Sequence, residues 1–260
     1  MKTFKIGGVH PHDSKISKDC AIEDFPVLEK AYLSMAQHLG APAEPIVQKG
    51  DKVKVGQLIA KPTGFVSANI HSSVSGTVAA VEPYADLAGN PVMHVIIDVE
   101  GDEWEESIDR TPDVVRDITL SKEEIIKRIQ DCGIVGLGGA SFPTHIKLTP
   151  PPGKVAEYLL INGAECEPFL TSDYRLMIEQ PEQVLIGAKI MMKALDVKKC
   201  RFGVEENKPE AIAKLKSFSA QYPEIEIVPL KKKYPQGGEK QLIEALTGRR
   251  VPSMGLPIDA

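Results

Sequence analysis

The first half of the chain sets short β-favouring runs, at residues 52–59, 75–81 and 92–99, between turn residues rich in glycine and proline. Runs of that length bounded by turns predict strands, so this half reads as all-β. The pattern changes at Ser121, which is followed three residues later by Glu124. That is the capping-box spacing, in which the serine oxygen accepts from the N3 amide and the glutamate reaches back to the cap amide. A helix is expected from there to about Cys132, with Gly133 free to take the left-handed position that ends it. Beyond it, apolar runs at 155–161, 201–204 and 225–230 alternate with helical patterns at 181–195, 208–222 and 239–246. In the 181–195 pattern, Val184, Leu185, Ala188, Met191, Met192 and Leu195 recur on one face. Strand and helix in alternation predict a parallel sheet covered by helices, which makes the chain α/β plus β. Such sheets bind ligands at the carboxyl ends of their strands, here the segments after Ile161, Val204 and Leu230.

Charge places the division between the halves. Residues 1–112 carry 10 Lys and Arg against 16 Asp and Glu, whereas residues 113–260 carry 21 against 20. The stretch 98–109 holds seven acids and no base and leads into Thr111-Pro112, which reads as a solvated connection. A boundary between about 100 and 120 follows, giving domains 1–112 and 113–260. At 260 residues and a net charge of -5, with 42% hydrophobic residues, the composition is that of an ordinary globular protein. No apolar window approaches the length of a membrane span, and no export signal opens the chain. Without a basic stripe, nucleic acid is not the expected partner. Cys20, Cys132, Cys166 and Cys200 are far apart and form no metal-ligand spacing.

Three stretches have the residue types that chemistry needs. Gly136, Gly138 and Gly139, with Ala140, make a loop whose backbone can approach a flat or phosphorylated ligand. It follows a helix, and Ser141 stands where a dinucleotide fingerprint has its third glycine, so that motif is not met. Asn162, Glu165 and Glu167 follow the first apolar run, where they can bond ribose or ribityl hydroxyls. As a competing reading, acids in that position also suit a solvated loop. Tyr234 and Gly237 form an aromatic-glycine turn before Glu239 opens the last helix, whose N-terminus favours an anion. Cys166 has no histidine near it in sequence and is expected to be a packed thiol. His10 and His12 are expected at the surface.

Two resemblances extend this reading. The turns at Gly56-Gln57 and Ser75-Gly76-Thr77-Val78 resemble those of the lipoyl and biotinyl carrier fold, a flattened β-barrel with a modified lysine at a hairpin tip. The corresponding positions are Phe65 or Val66, and no lysine lies between Lys61 and Gly76, so a swinging-arm role is not supported. The three stretches together, with Gly7-Gly8-Val9-His10-Pro11, 37–42 and 70–76, resemble the RnfC family, part of the Rnf ion-translocating electron transport complex. Its core is similar to the NADH-binding flavoprotein subunit of respiratory complex I.

The resemblance implies a barrel-sandwich domain followed by a Rossmann-like parallel domain that binds FMN and NAD(H). It matches Gly136, Gly138, Gly139, Ala140, Lys147, Asn162, Glu165, Tyr234 and Gly237 to the FMN site, and Glu167 and Glu239 to NADH. Leu137, Ala164 and Gly238 depart from the complex I pattern, where an arginine, an aspartate and a glutamate stand. The family continues beyond the segment matched here with a flavin-phosphate segment, a ubiquitin-like domain and ligands for two [4Fe-4S] clusters, none of which this chain's cysteines match. The chain is therefore expected to be the N-terminal part of a longer subunit. The implied partners are the other Rnf subunits, including the membrane subunits and the ferredoxin-like subunit, and the implied place is the cytoplasmic face of the bacterial inner membrane. The competing expectation is a scaffold module that has lost its cofactor.

Overall fold

The computed structural model describes residues 1–86 and 88–260, which form two compact units interleaved along the chain. One unit comprises residues 25–113 and 123–149, and the other residues 1–24, 114–122 and 150–260. The units do not follow a single boundary, since the chain passes between them after Asp24, Asp113, Lys122 and Thr149.

The β unit contains β1 (Lys30–Ser34), β2 (Glu44–Pro45), β3 (Lys52–Val53), β4 (Leu58–Lys61), β5 (Ile70–His71), β6 (Gly76–Ala85) and β7 (Pro91–Val99). Two antiparallel sheets result, ordered β1-β7-β6-β3 and β2-β4-β5. Met35, Ile59, Ala60, Val95 and Ile97 are fully buried in its core. The expected strand at 52–59 is broken into β3 and β4, because Val55 instead bridges Trp104 and Gly56 takes a turn with φ of 83°. That bridge also corrects the solvated connection. Val55 and the 103–105 segment exchange backbone bonds at 2.8 and 3.0 Å, and Ile108 packs where a Cβ on Gly56 would lie, so the acidic stretch is folded onto the β unit. Most of its acids are exposed, while its backbone and two apolar side chains dock.

The same unit includes α1 (Lys122–Asp131) from Glu123 onward, and α2 (Thr144–Lys147). The last carbonyls of a helix lack partners within it. At the end of α1 the Asn69 side chain supplies them, donating to Gln130 and Asp131 at 3.3 and 3.0 Å. Gly133 has φ of 65°, as the expected helix stop requires, and a Cβ there would also lie 2.2 Å from the Asn69 carbonyl.

The α/β unit is built from β8 (Leu159–Gly163), α3 (Ser172–Glu179), α4 (Pro181–Leu195), β9 (Cys200–Glu205), α5 (Pro209–Ser219), β10 (Ile225–Leu230) and α6 (Glu239–Thr247). Its sheet is parallel, in the order β10-β9-β8. The third strand and the long α4 fall where the hydrophobic pattern put them, whereas the first strand begins at Leu159 rather than 155. Leu185, Ala188 and Met192 of α4 pack with Phe202, Val204, Ala211 and Leu215. Burying a large apolar side chain is worth about 1.5–3 kcal/mol. The sheet is extended at its β10 edge by Lys2, which forms a parallel bridge with Leu230, and Val9 pairs with Tyr234. These pairings draw the N-terminal arm into the α/β unit.

Candidate nucleotide site

At the carboxyl ends of β8, β9 and β10 three loops converge. The Asn162 side chain joins two of them: its Nδ2 donates to the Gly237 carbonyl at 2.9 Å, and its Oδ1 accepts from the Ala164 amide at 3.1 Å. Gly237 has no room for a side chain, since a Cβ would lie 2.7 Å from the Ala164 carbonyl. Tyr234 is partly exposed beside this junction, and Glu239 is the exposed first residue of α6. Within this unit the structure therefore gathers Asn162, Glu165, Glu167, Tyr234, Gly237 and Glu239 at the sheet edge where parallel sheets bind ligands.

Glu165 has a further duty that its residue type alone did not reveal. Its buried carboxylate accepts from the amides of Asp173 and Tyr174 at 2.7 and 3.2 Å, in the first turn of α3. The side chain of α3's own N-cap residue, Thr171, does not do this. A carboxylate there satisfies two unpaired donors and complements the helix dipole. Glu167 is exposed, with its carbonyl turned to the Lys15 ammonium at 2.8 Å.

Beneath the loops lies an ionic group that sequence reading missed. Lys208 is 4% exposed and stands 3.3 Å from Glu205 and 3.9 Å from Glu165. Glu205 has no exposed surface, and burial pushes its carboxyl above the usual carboxylate range against the pull of Lys208. Gln236 is likewise fully buried, and its Oε1 accepts from the Thr3 hydroxyl at 2.8 Å. The available signal was the polar run Glu205-Glu206-Asn207-Lys208 directly after an apolar strand, where a side chain can turn inward as well as out.

Cys166 is the packed thiol expected of it at this edge. Cys166 and Cys200 are buried, and burial raises both, Cys200 to about 12, while Cys20 and Cys132 are exposed. Since the thiolate is the reactive form, iodoacetamide at about pH 7.5 should alkylate Cys20 and Cys132 at least roughly tenfold faster than the other two. Mass mapping of a time course checks this; rapid labelling of Cys166 in the folded chain would contradict its packed state.

In the β unit the glycine-rich loop connects α1 to α2. Val135 pairs with Pro143, and the Gly136 amide donates to the Phe142 carbonyl at 3.0 Å, which closes the base of the loop. Between these ties Leu137, Gly138, Gly139 and Ala140 are exposed. The amides of Gly138, Gly139 and Ala140 meet no acceptor among the described residues, and a Cβ built on Gly138 or Gly139 meets nothing within 4 Å. Lys147 ends α2, its ammonium 5.9 Å from the Phe142 ring centre and 3.9 Å from where a Cβ on Gly136 would sit. Open backbone donors, free space and one neighbouring ammonium form a cradle that fits a flat, phosphorylated group such as FMN.

Two family models match the chain. Residues 129–260 match the Nuo51 FMN-binding domain, and residues 2–102 match the RnfC barrel-sandwich hybrid domain. The chain belongs to the RnfC family, with a Nuo51-type FMN-binding domain. It is 47% identical, over 100% of its length and 56% of the relative's, to the C subunit of the proton-translocating ferredoxin:NAD(+) oxidoreductase complex of Clostridium ljungdahlii. It is 45% identical to the C subunit of the Na(+)-translocating complex of Acetobacterium woodii, over 99% of this chain and 58% of that one. The C subunit of the ion-translocating oxidoreductase complex of Pseudomonas aeruginosa is 41% identical over 100% of this chain and 33% of its own length. The chain thus spans little more than half the length of the first two. The N-terminal arm 1–24 falls almost wholly within the RnfC barrel-sandwich match, yet it packs with the FMN-type unit. Among the described residues no helix is long and apolar enough to cross a membrane, and no group of three or more His, Cys, Asp or Glu could hold a metal ion.

Proposed function

We propose that this chain is the FMN- and NAD(H)-binding region of the C subunit of an ion-translocating ferredoxin:NAD(+) oxidoreductase complex. The observation that carries the reading is the open glycine cradle, within a segment that matches an FMN-binding domain. The identity of 47% over the whole chain to a subunit of that name supports the rest. FMN when bound supplies hydride exchange with nicotinamide and one-electron transfer onward, so the protein's task is to bind, orient and tune.

In this reading Gly136, Gly138, Gly139 and Ala140 offer backbone to the flavin, and Lys147 supplies a cation suited to its phosphate. Asn162, Glu165, Tyr234 and Gly237 complete the flavin's surroundings, with Glu167 and Glu239 meeting NADH. Asn162 and Glu165 also hold their loops in shape, as their bonds to Gly237 and to α3 indicate. The β unit is a lipoyl-like barrel-sandwich without a modifiable lysine, since Phe65 stands 84% exposed between β4 and β5 where the carrier fold has its lysine. The α/β unit is Rossmann-like. Other subunits of the complex, including the membrane subunits and the ferredoxin-like one, are its partners, and they carry it to the cytoplasmic face of the membrane. The [4Fe-4S] clusters belong to parts of the subunit outside this segment.

The test is a titration of the purified chain with FMN, followed by flavin fluorescence, and then anaerobic addition of NADH. Saturable quenching and bleaching of the flavin band are expected. A folded chain that leaves FMN fluorescence unchanged would refute the assignment.

A further inference from the structure

The N-terminal arm touches each of the three loops at the carboxyl edge of the α/β sheet. Along the loop after β10, the Lys231 amide donates to the Lys2 carbonyl at 3.0 Å, and Val9 and Tyr234 exchange backbone bonds at 2.9 and 2.8 Å. Asp13 forms an ion pair with Lys232 and accepts from Asn207 Nδ2, in the loop after β9, at 3.2 Å. On the third loop, after β8, the Phe169 amide donates to the Asp13 carbonyl at 3.2 Å. The Ser17 and Thr171 hydroxyls lie 2.8 Å apart, and the Arg175 guanidinium donates to the Lys18 carbonyl at 3.0 Å.

At the centre of the third contact is Lys15. Its ammonium donates to the carbonyls of Glu165, Glu167 and Leu170 at 2.9, 2.8 and 2.6 Å, using all three of its protons. It forms no ion pair among the described residues, and burial followed by the Lys208 ammonium pulls its pKa below the ordinary lysine value. An ammonium ordered in this way by backbone alone fixes the path of the segment it binds. Glu167, whose carbonyl is one of the three, is itself exposed in the loop they hold. The arm lies outside the segment that matches the FMN-binding domain, so its contribution comes from the RnfC-type part of the chain.

We propose that Lys15 is a positioning residue of the nucleotide site, an internal cation that clamps the 165–170 loop in the conformation presenting Glu167 to NADH. Its second half rests on the proposed function; the clamp itself does not. Lys15→Met keeps the aliphatic stem and removes the charge and the donors. In the ligand-free variant, hydrogen exchange at the amides of Phe169, Asp173 and Tyr174 should accelerate at least roughly tenfold, with β9 and β10 amides unchanged. Unchanged exchange at those three positions would overturn the clamp. In ligand titrations the variant should bind NADH about tenfold more weakly, a larger loss than for FMN, because of the proposed flavin contacts only Glu165 lies in the 165–170 loop. A loss shared equally by FMN, NADH and the melting temperature would make Lys15 a general stabiliser and overturn the positioning role, as would wild-type NADH affinity in the variant. If the unmodified chain binds neither cofactor, the proposed function fails, and the positioning toward NADH with it, whereas the exchange measurement still decides the clamp.

Discussion

Lys208→Met is expected to lower the unfolding free energy by about 3–5 kcal/mol at about pH 8, because it strips a buried cation from two buried carboxylates. Lys208 is the ion-pair partner of both Glu205 and Glu165, and neither residue has more than 3% of its surface in water. The loss should shrink as the pH is lowered. Burial already raises the Glu205 carboxyl, so the folded state holds its proton at a pH where the unfolded chain has released it. Stability from this group therefore falls as pH rises from the ordinary carboxylate value of 4.5 through the raised folded value, and it is recovered below that window. Removing Lys208 raises Glu205 further and widens the window. Urea unfolding at about pH 8 and about pH 5.5 measures both losses, and equal losses at the two values would show that charge burial is not the cause. Lys208→Met with Glu205→Gln should be more stable than Lys208→Met alone, since the second change removes one of the stranded charges.

Gly138→Val should weaken FMN binding at least roughly 100-fold, which corresponds to about 2.8 kcal/mol, and leave the melting temperature of the chain unchanged. The two halves of that result have separate causes. Gly138 lies outside the left-handed region and has open space beyond its Cα, so the free protein has no reason to resist a branched side chain. Neighbouring Gly139 has φ of 78°, where any side chain strains the backbone, and a substitution there would confound folding with binding. In the bound state the added methyls would occupy the space through which the flavin approaches the loop amides. Fluorescence quenching by the variant at wild-type FMN concentrations would remove this loop from the flavin site.

Much of the architecture was legible in the pattern of residues. The alternation at 181–195 located α4 because one helical face is apolar at regular spacing, and β10 followed from an apolar run enclosed by polar turns. Gly133 was legible as a helix stop because only a residue without a Cβ takes a left-handed φ at no cost. Short α2 and α3 were not legible. The four residues of α2 make too brief a pattern, and the first turn of α3 is satisfied by Glu165 from outside the helix. A capping group that arrives through space leaves no spacing to read.

The candidate site divides along the same line. Sequence by itself determined the composition of the site: a run of glycines that keeps backbone accessible, and acids, an amide and an aromatic placed directly after apolar strands. Those properties are local, since they depend on which side chains are absent and on where a strand ends. Only the tertiary structure decided what those side chains are engaged in. Asn162 is tied to Gly237 across 75 residues, Glu165 caps α3, and Lys15 reaches loop carbonyls 150 to 155 positions away. The same holds for the acidic stretch 98–109, polar by composition but docked through Trp104 and Ile108. Hydrogen bonds and ion pairs form between whichever groups the folded chain brings within about 3 Å, and that proximity is a property of the packed elements together.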